Sequence, residues 1–292
     1  MNADGTVSWR QLATEATQRL AAAGNDNAEI EARRMVEEAS GSEGTQYWLG
    51  LDDLVTVGGV ARFDRLLERR MTGEPLQYVL GRWGFRTLDL MVDRRVLIPR
   101  PETETVVEHA LERLDRLGRP AATVVDLGTG SGAIALSIAA EREDVEVWAV
   151  DRSADALAVA RANLGGLGRD ATRVRIVEGS WFDPLPDELR GRFDLVVSNP
   201  PYVAPDDPLP AQVADWEPVD ALVPGPTGLE ALEEICAEAP GWLAPGGWLV
   251  VEIGETQGGA AEALARAAGL VEIEVRPDLA GRPRALIARR RP

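Results

Sequence analysis

The sequence is poor in the side chains that bind transition metals, with one cysteine, Cys236, and one histidine, His109. A single cysteine excludes an internal disulfide and any thiolate metal cluster, and two such ligands in the whole chain predict no metal site. We expect Cys236 to be a buried apolar residue of a helix over 229–239. We expect His109 to be a solvated helix residue.

Lysine is absent, so every basic residue apart from His109 is an arginine, and 48 acidic residues against 31 basic ones give a net charge of −17. A protein that grips duplex DNA needs a cationic surface against the phosphates. No long basic run precedes Arg289-Arg290-Arg291. We therefore expect no direct binding of duplex DNA and favour a basic protein partner, because complementary charge raises the encounter rate. Solubility alone is the other explanation of the charge.

Long apolar runs are missing as well. There is no stretch of about 18 uncharged apolar residues, the length that a membrane-spanning helix needs. The first residues, Met1-Asn2-Ala3-Asp4-Gly5, have neither a basic nor an apolar region of the kind that a signal peptide carries. These features predict a cytoplasmic protein without a membrane span.

A glycine-rich loop stands between a predicted strand over 123–127 and a predicted helix over 133–140. The loop is Gly128-Thr129-Gly130-Ser131-Gly132, and glycines allow a sharp turn and the close approach of a ligand. The N-terminus of the helix adds unpaired N–H groups and a partial positive charge. A second predicted strand, over 145–150, ends at Asp151, whose carboxylate can accept both hydroxyls of a ribose. The pattern predicts a nucleoside-containing cofactor.

Two cofactors fit this pattern. Residues 128–133 match the dinucleotide form G-x-G-x-x-G/A, with Asp151 about 20 residues further on, as in nicotinamide enzymes. Asp126 at the strand end and a third glycine, Gly132, also give the form Asp-x-Gly-x-Gly-x-Gly. That form resembles the S-adenosylmethionine loop of class I methyltransferases. The chain has no obvious acid for hydride transfer, since its one histidine falls in a predicted helix.

The tetrapeptide Asn199-Pro200-Pro201-Tyr202 decides between them. It follows an apolar run over 193–198 that predicts a buried parallel strand, and prolines cannot continue its ladder. Ligands of open α/β sheets bind at such carboxyl ends. The Asn199 side-chain oxygen and the Pro200 carbonyl can each accept an N–H of a planar –NH2 group, with Tyr202 against its plane. The motif resembles that of methyltransferases acting on adenine, cytosine or glutamine, although a plain proline-rich turn is the alternative.

A third predicted strand, over 174–178, leads to Gly179-Ser180-Trp181-Phe182-Asp183. In class I methyltransferases, whose glycine loop this chain resembles, the loop after the third strand usually meets the adenine of the cofactor. We expect Trp181 to pack on the base, because aromatic faces bind flat heterocycles well. For Phe182, a place in the core is an equal alternative.

The first part of the chain contains no cofactor motif. Residues 1–80 predict a small helical domain, with helices from Ser8 to about Ala23, over 28–39 and over 59–71. The segment 73–81 breaks the helical pattern. Residues 81–96 then predict a β-hairpin linker.

Residues 97–292 predict the catalytic domain. Strands and helices alternate and end in an antiparallel pair, as in a Rossmann-like seven-stranded α/β sheet. The segment 203–228 is polar and proline-rich, and we expect a loop that is placed to close over a substrate.

Several motifs, spread over most of the chain, occur together in one family. They are Gly73-Glu74-Pro75-Leu76-Gln77-Tyr78 with Gly81; Leu97-Ile98-Pro99-Arg100-Pro101-Glu102-Thr103-Glu104; the glycine loop; Asn199-Pro200-Pro201-Tyr202; Glu217-Pro218 with Ala221-Leu222; and Pro245-Gly246-Gly247 with Glu252-Ile253-Gly254. The chain resembles the release factor glutamine methyltransferases. The run over 98–104 separates this family from DNA methylases that share the tetrapeptide. The residues around 224–228 differ from the sequence that is usual in this family.

The resemblance implies a class I methyltransferase that uses S-adenosylmethionine and leaves S-adenosylhomocysteine. The implied cofactor-binding residues are Gly128, Thr129, Gly130, Ser131, Gly132, Asp151, Trp181 and Asn199. The implied substrate is the glutamine of the Gly-Gly-Gln motif in class 1 peptide chain release factors. Asn199, Pro200, Pro201 and Tyr202 would bind it, with Asn199, Pro200 and Tyr202 as the catalytic residues.

Two other functions stay open at this point. One is the methylation of an adenine or cytosine amino group in nucleic acid, which uses the same tetrapeptide. The other is a non-catalytic cofactor-binding protein, against which the intact Asn199 and Tyr202 argue. For the helices of residues 1–80, we expect a role in docking the folded release factor.

Overall fold

A computed structural model describes residues 6–292, which form two compact units. The first unit ends at Gly81 and the second is Arg82–Pro292. The helices of the first unit are α1 (Trp9–Ala22), α2 (Ala28–Ser40), α3 (Thr45–Gly50), α4 (Val57–Met71) and α5 (Leu76–Leu80). Its core is formed by side chains that include Leu12, Leu20, Met35, Phe63 and Leu67.

Side-chain caps fix where α1 and α4 begin. The Ser8 hydroxyl accepts from the backbone of Gln11, whose side chain accepts from the Ser8 N–H at 2.9 Å, and this capping box starts α1 as predicted. The Thr56 hydroxyl accepts from the Gly59 N–H at 3.1 Å. Because Thr56 is the cap, α4 begins at Val57, two residues earlier than the pattern suggested.

The prediction that the segment 73–81 breaks the helical pattern is wrong for its centre. Residues Leu76–Leu80 form the short helix α5, which begins after Pro75 and ends at Gly81 with φ +76°. Proline and glycine bound this helix rather than interrupt it, because proline tolerates a helix N-terminus and glycine the left-handed turn at its end. Tyr78 and Val79 are buried, so packing stabilises a helix too short to be stable alone.

The second unit opens with the predicted hairpin, formed by β1 (Arg82–Phe85) and β2 (Leu88–Met91). Its remaining strands are β3 (Ala122–Leu127), β4 (Val145–Asp151), β5 (Val174–Glu178), β6 (Phe193–Ser198), β7 (Leu243–Glu252), β8 (Val271–Pro277) and β9 (Pro283–Arg289). Its helices are α6 (Pro101–Leu117), α7 (Ala133–Glu141), α8 (Ala154–Gly165), α9 (Ala211–Trp216), α10 (Glu230–Trp242) and α11 (Gly258–Ala267). Cys236 is buried in α10 as predicted. His109 lies on the predicted helix α6 but is only partly solvated, with 18% of its side chain exposed.

Strands β3 to β9 form one seven-stranded sheet in the order β5-β4-β3-β6-β7-β9-β8. The pairs among β3 to β7 are parallel, and β9 runs antiparallel to both β7 and β8. This confirms the predicted seven-stranded sheet with its antiparallel end. Successive residues pack on opposite faces, since Val124 belongs to the cluster with α6 and α7 and Val125 to the cluster with α10 and α11.

The order of the strands reverses between β3 and β6, which makes their carboxyl ends the switch point of the sheet. Leu127 pairs with Ser198 in the parallel register. The Ser198 hydroxyl donates to the Leu127 carbonyl at 2.6 Å in a buried position. The residues that come next, Gly128 and Asn199, therefore emerge side by side.

The segment 203–228, predicted as a loop, contains the helix α9 and a turn of 3₁₀ helix over Val219–Ala221. The proline-rich sequence suggested a loop, but Pro210 and Pro218 precede these two elements and do not interrupt them. Proline is tolerated at the start of a helix. Both ends of the segment are held by Gln257, whose Nε2 donates to the carbonyls of Tyr202 and Gly228 at 3.0 Å each. No helix within residues 6–292 has the length and apolar character needed to cross a membrane.

Phe182 belongs to the core, with 1% of its surface exposed and its ring stacked on Trp242 at 5.6 Å between centroids. We expect Phe182→Ala to lower the free energy of unfolding by about 3–5 kcal/mol, because the lost side chain leaves a cavity. Denaturant unfolding measures this loss. Leu279→Ala is the control, since Leu279 is 99% exposed. A loss for Phe182→Ala no larger than that of the control would contradict the assignment.

Candidate functional site

A cavity of about 810 Å³ lies at the carboxyl ends of β3, β4, β5 and β6. Of the predicted site residues, it is lined by Gly128, Thr129, Gly130, Ser131, Asp151, Trp181, Asn199 and Pro201. The structure thus brings the glycine loop and the tetrapeptide into one site. Gly132, Pro200 and Tyr202 lie beside the cavity rather than in its lining. Among residues 6–292, no three His, Cys, Asp or Glu side chains gather to hold a metal ion.

The glycine loop has a conformation that other residues rarely adopt. Gly128, Gly130 and Gly132 have φ values of +71°, +56° and +87°, which only glycine accepts without strain. A Cβ on Gly132 would also lie 2.9 Å from Cδ1 of Leu136. The loop therefore presents bare backbone, followed at once by the N-terminus of α7.

Asp151 connects the end of β4 to this loop. Its Oδ2 accepts from the Gly130 N–H at 2.8 Å, and its Oδ1 accepts from the Ser153 N–H at 2.9 Å. Burial raises the pKa of Asp151, and these two backbone hydrogen bonds act in the opposite direction. Each carboxylate oxygen keeps a further lone pair, so Asp151 can accept from a ligand in the cavity while it shapes the loop.

Asp126 stabilises the glycine loop through buried hydrogen bonds. It is fully buried, and its Oδ2 accepts from the Thr129 hydroxyl at 2.6 Å and from the Ala135 N–H at 3.2 Å. Burial raises the pKa of Asp126 to about 7. Its Oδ1 has no hydrogen-bond partner in the part of the chain that the structure describes. Leaving a buried acceptor unpaired disfavours the charged carboxylate, in line with the raised pKa of Asp126.

Asn163 on α8 is a site residue that the sequence did not reveal. Its Nδ2 donates to the carbonyls of Ser131 at 2.9 Å and Met91 at 3.1 Å, and its Oδ1 accepts from the Met91 N–H at 2.7 Å. One side chain thus joins the hairpin to the glycine loop. An amide at a buried position of a helix was the one available signal.

Trp181 faces the cavity, whereas its neighbour Phe182 does not. Trp181 has a φ of +42°, and its Cζ3 lies 3.6 Å from where a Cβ of Gly128 would be. A non-glycine residue held in the left-handed region is strained, and such strain persists where the surroundings enforce it. The indole therefore forms a wall of the cavity over the glycine loop.

The tetrapeptide is anchored by a buried hydrogen-bond network. Asn199 Nδ2 donates to the Thr103 hydroxyl at 3.2 Å, and the Tyr202 hydroxyl donates to Oε1 of Glu252 at 3.3 Å. The Thr103 hydroxyl donates to Oε2 of Glu252 at 2.7 Å. Thr103 comes from α6 and Glu252 from the end of β7. Asn199 and Tyr202 are thereby joined through residues far away in the sequence.

Glu252 is the buried centre of this network, with 1% of its surface exposed. Burial raises its pKa to about 7, against the hydrogen bond from Thr103 and the charge of Arg284, which both favour the carboxylate. Burial also raises the pKa of Tyr202. Thr103 and Glu252 stand in motifs that are visible in the sequence, but no pattern linked either residue to Asn199.

An ion pair ties the segment 203–228 to the residues before α6. Arg100 donates to Oε1 of Glu217 at 2.5 Å, and the Ile98 N–H donates to its Oε2 at 3.3 Å. Glu217 has 1% of its side chain exposed. The sequence motifs over 97–104 and at Glu217-Pro218 thus meet at one wall of the site.

Comparison with known proteins agrees with this geometry. Residues 11–81 match the family model described as "PrmC N-terminal domain", and residues 106–213 match the "Methyltransferase small domain". The release factor glutamine methyltransferase of Xylella fastidiosa (strain 9a5c) is 49% identical over 228 residues, which are 78% of this chain and 80% of that protein. That of Moorella thermoacetica is 43% identical over 289 residues, 98% of this chain and 99% of that protein.

A solved structure supports the fold. The 16S rRNA N2 methyltransferase RsmC of T. thermophilus, in complex with AdoMet and guanosine, gives a TM-score of 0.52 at 19% identity and covers 72% of this chain and 50% of that one. The seven-stranded sheet is accordingly that of the class I S-adenosylmethionine-dependent methyltransferases. With these relatives matched over most of their length, the chain belongs to the release factor glutamine methyltransferase family.

Proposed function

We propose that this protein transfers a methyl group from S-adenosylmethionine to the side-chain amide nitrogen of the glutamine in the Gly-Gly-Gln motif of class 1 peptide chain release factors. The observation that carries the proposal is the position of Asn199 beside the glycine loop in one cavity. A cytoplasmic location follows from a substrate that acts in translation. The direct test is a mass increase of one methyl group on the Gly-Gly-Gln peptide of a purified release factor.

The residues of the cavity fit the cofactor. S-adenosylmethionine, when bound, supplies an electrophilic methyl group on a sulfonium. The bare backbone of Gly128–Gly132 would hold its amino-acid part, with no Cβ in the way at three positions. The Asp151 carboxylate would accept from the ribose hydroxyls, and Trp181 would pack on the adenine.

Asn199 and Pro200 would bind and orient the amide group of the substrate. An amide nitrogen is a poor nucleophile because its lone pair is delocalised into the carbonyl. Hydrogen bonds from the substrate –NH2 to the Asn199 side chain and the Pro200 carbonyl would orient the nitrogen and favour its pyramidal form, with Pro201 and Tyr202 completing the substrate site. Positioning of this kind supplies most of the rate, and no strong base is needed before transfer.

Amino-group methylation in nucleic acid is the second candidate, because the same tetrapeptide serves it. The net charge of −17 argues against it, since binding to duplex phosphates requires cationic contacts. Methyl transfer from labelled cofactor to DNA, RNA and release factor in parallel separates the two functions.

The first unit would dock the folded release factor. A lone glutamine side chain offers little contact, so recognition requires a larger surface. Trp48, Leu49, Leu54 and Val57, within one short segment, expose between 59% and 88% of their surfaces. Exposed apolar side chains that cluster in this way are typical of protein-binding surfaces.

Asp151→Ala should weaken the binding of S-adenosylmethionine by about 1.5–3 kcal/mol, the value of a hydrogen bond to a charged group. Titration calorimetry measures the dissociation constant. Asp155→Ala is the control, because Asp155 is exposed on the first turn of the neighbouring helix α8. Unchanged cofactor affinity in a folded Asp151 variant would show that Asp151 does not bind the ribose.

Asn199→Ala should lower the single-turnover rate on a release factor by about 10²-fold or more, as the loss of one preorganised polar group does in other sites. Affinity for the cofactor should change far less, because the side chain is proposed to hold the reacting amide. Rates near wild type would rule out the amide-holding mechanism.

The double substitution Leu49→Asp and Val57→Asp should raise the KM for an intact release factor by about tenfold, which corresponds to about 1.4 kcal/mol of lost docking. The rate on a short Gly-Gly-Gln peptide should change much less, because a peptide lacks the folded surface that the first unit would dock. Leu279→Asp, at an exposed position of the second unit, is the control. Equal losses on both substrates would show that these residues support the fold instead.

A further inference from the structure

The direction of one proton determines how the Asn199 amide is presented. The Thr103 hydroxyl has a single proton, which it donates to Oε2 of Glu252 at 2.7 Å. Its oxygen can then only accept, and it accepts from Asn199 Nδ2 at 3.2 Å. Because one N–H of the amide is donated to Thr103, the amide is held in one of its two orientations, and its oxygen is the acceptor that it offers to the cavity, which both residues line.

We propose that Thr103 and Glu252 are positioning residues that turn the carboxamide of Asn199 so that its oxygen, and not its nitrogen, meets the substrate. The inference rests on the proposed function, because it assumes a substrate –NH2 at Asn199. The two orientations of an asparagine amide have the same shape, so packing alone cannot choose between them. Only hydrogen-bond partners distinguish the two ends.

The chemistry of the substrate requires this choice. A glutamine –NH2 group offers two N–H donors, and an asparagine that presented its own –NH2 would set donor against donor. A buried donor left unpaired costs more than a neutral hydrogen bond contributes. The fixed orientation therefore selects an amide and disfavours a glutamate, whose carboxylate has no N–H to give and would face the oxygen of Asn199.

Glu252 can enforce the direction because an ionised carboxylate only accepts hydrogen bonds. It is faced by Thr103 and Glu102 from α6, by Arg284 from β9 and by the Tyr202 hydroxyl from the segment after β6. Burial raises the pKa of Glu252 to about 7. Protonated Glu252 would carry a donor of its own, and the Thr103 hydroxyl could then turn its proton toward Asn199. The orientation is thus enforced above this pH and lost below it.

The test compares four variants with wild type at saturating cofactor. Thr103→Val removes the hydroxyl at nearly constant volume, and Thr103→Ser retains it. Glu252→Gln keeps the size of the side chain but can donate as well as accept. Thr105→Val is the matched control, because the Thr105 hydroxyl lies on the same helix and donates to the Glu102 carbonyl at 2.6 Å.

We expect Thr103→Val to lower kcat on the release factor by about tenfold or more, with the dissociation constant of the cofactor within about twofold of wild type. Thr103→Ser should stay within about threefold, and Thr105→Val should match wild type. Glu252→Gln should lose the fall in rate that wild type shows as the pH drops through about 7. Asp126, with a similar pKa, is present in both proteins and cannot cause a difference between them.

The decisive measurement is competition by a release factor whose Gly-Gly-Gln is changed to Gly-Gly-Glu. Wild type should bind this competitor weakly, and Thr103→Val should bind it about tenfold more tightly, because its Asn199 is free to turn its nitrogen toward the carboxylate. A purely structural role for Thr103 would lower activity without changing this preference, and that result would overturn the inference. So would a Thr103→Val enzyme as active as wild type.

The two proposals fail in different ways. If wild type does not methylate the glutamine of the release factor, the proposed function is wrong. If wild type is active and both the Thr103 and Glu252 variants keep its rate, pH profile and preference for glutamine, only the positioning role is wrong. If Thr103→Val does not fold, Glu252→Gln carries the test alone through its pH profile and its affinity for the Gly-Gly-Glu competitor.

Discussion

The parallel pairing of β3 with β6 is the constraint on which the site depends. The two strands are 71 residues apart at Leu127 and Ser198, and a buried hydroxyl-to-carbonyl bond joins their last residues. Every group of the site is placed relative to this pair of strand ends. A shift of register by one residue would exchange the faces of the sheet and move Asn199 away from the glycine loop.

Buried carboxylates organise the site around that pair. Asp126 holds the glycine loop and Glu252 holds the tetrapeptide, and burial raises the pKa of both to about 7. Each accepts hydrogen bonds from neighbouring donors, and these offset part of the cost of burial. The protein thus uses its acidic residues as internal acceptors as well as for surface charge.

Much of this could be predicted from the sequence because it is local. The strand over 193–198 and the glycine loop are marked by apolar runs and by residues that end them, and Ser8 with Gln11 marks the start of a helix. The hydrogen bonds of Asn163 to Met91 and of Asn199 to Thr103 span 72 and 96 residues. No local pattern encodes such a pair, since each partner is specified by the packing of other elements. The helix α9 was missed for the opposite reason, because its neighbouring prolines resemble a loop.

Gln257 holds both ends of the segment 203–228 and so lowers the conformational entropy of this segment in the folded protein. The carbonyls of Tyr202 and Gly228 meet at one amide group, and Glu217 fixes the middle of the segment to Arg100. The cost of closing a loop rises with the logarithm of its length. Pinned at three points, the segment is ordered as two short loops rather than one long one, and much of the configurational freedom that a binding partner would have to remove is already absent from the folded protein.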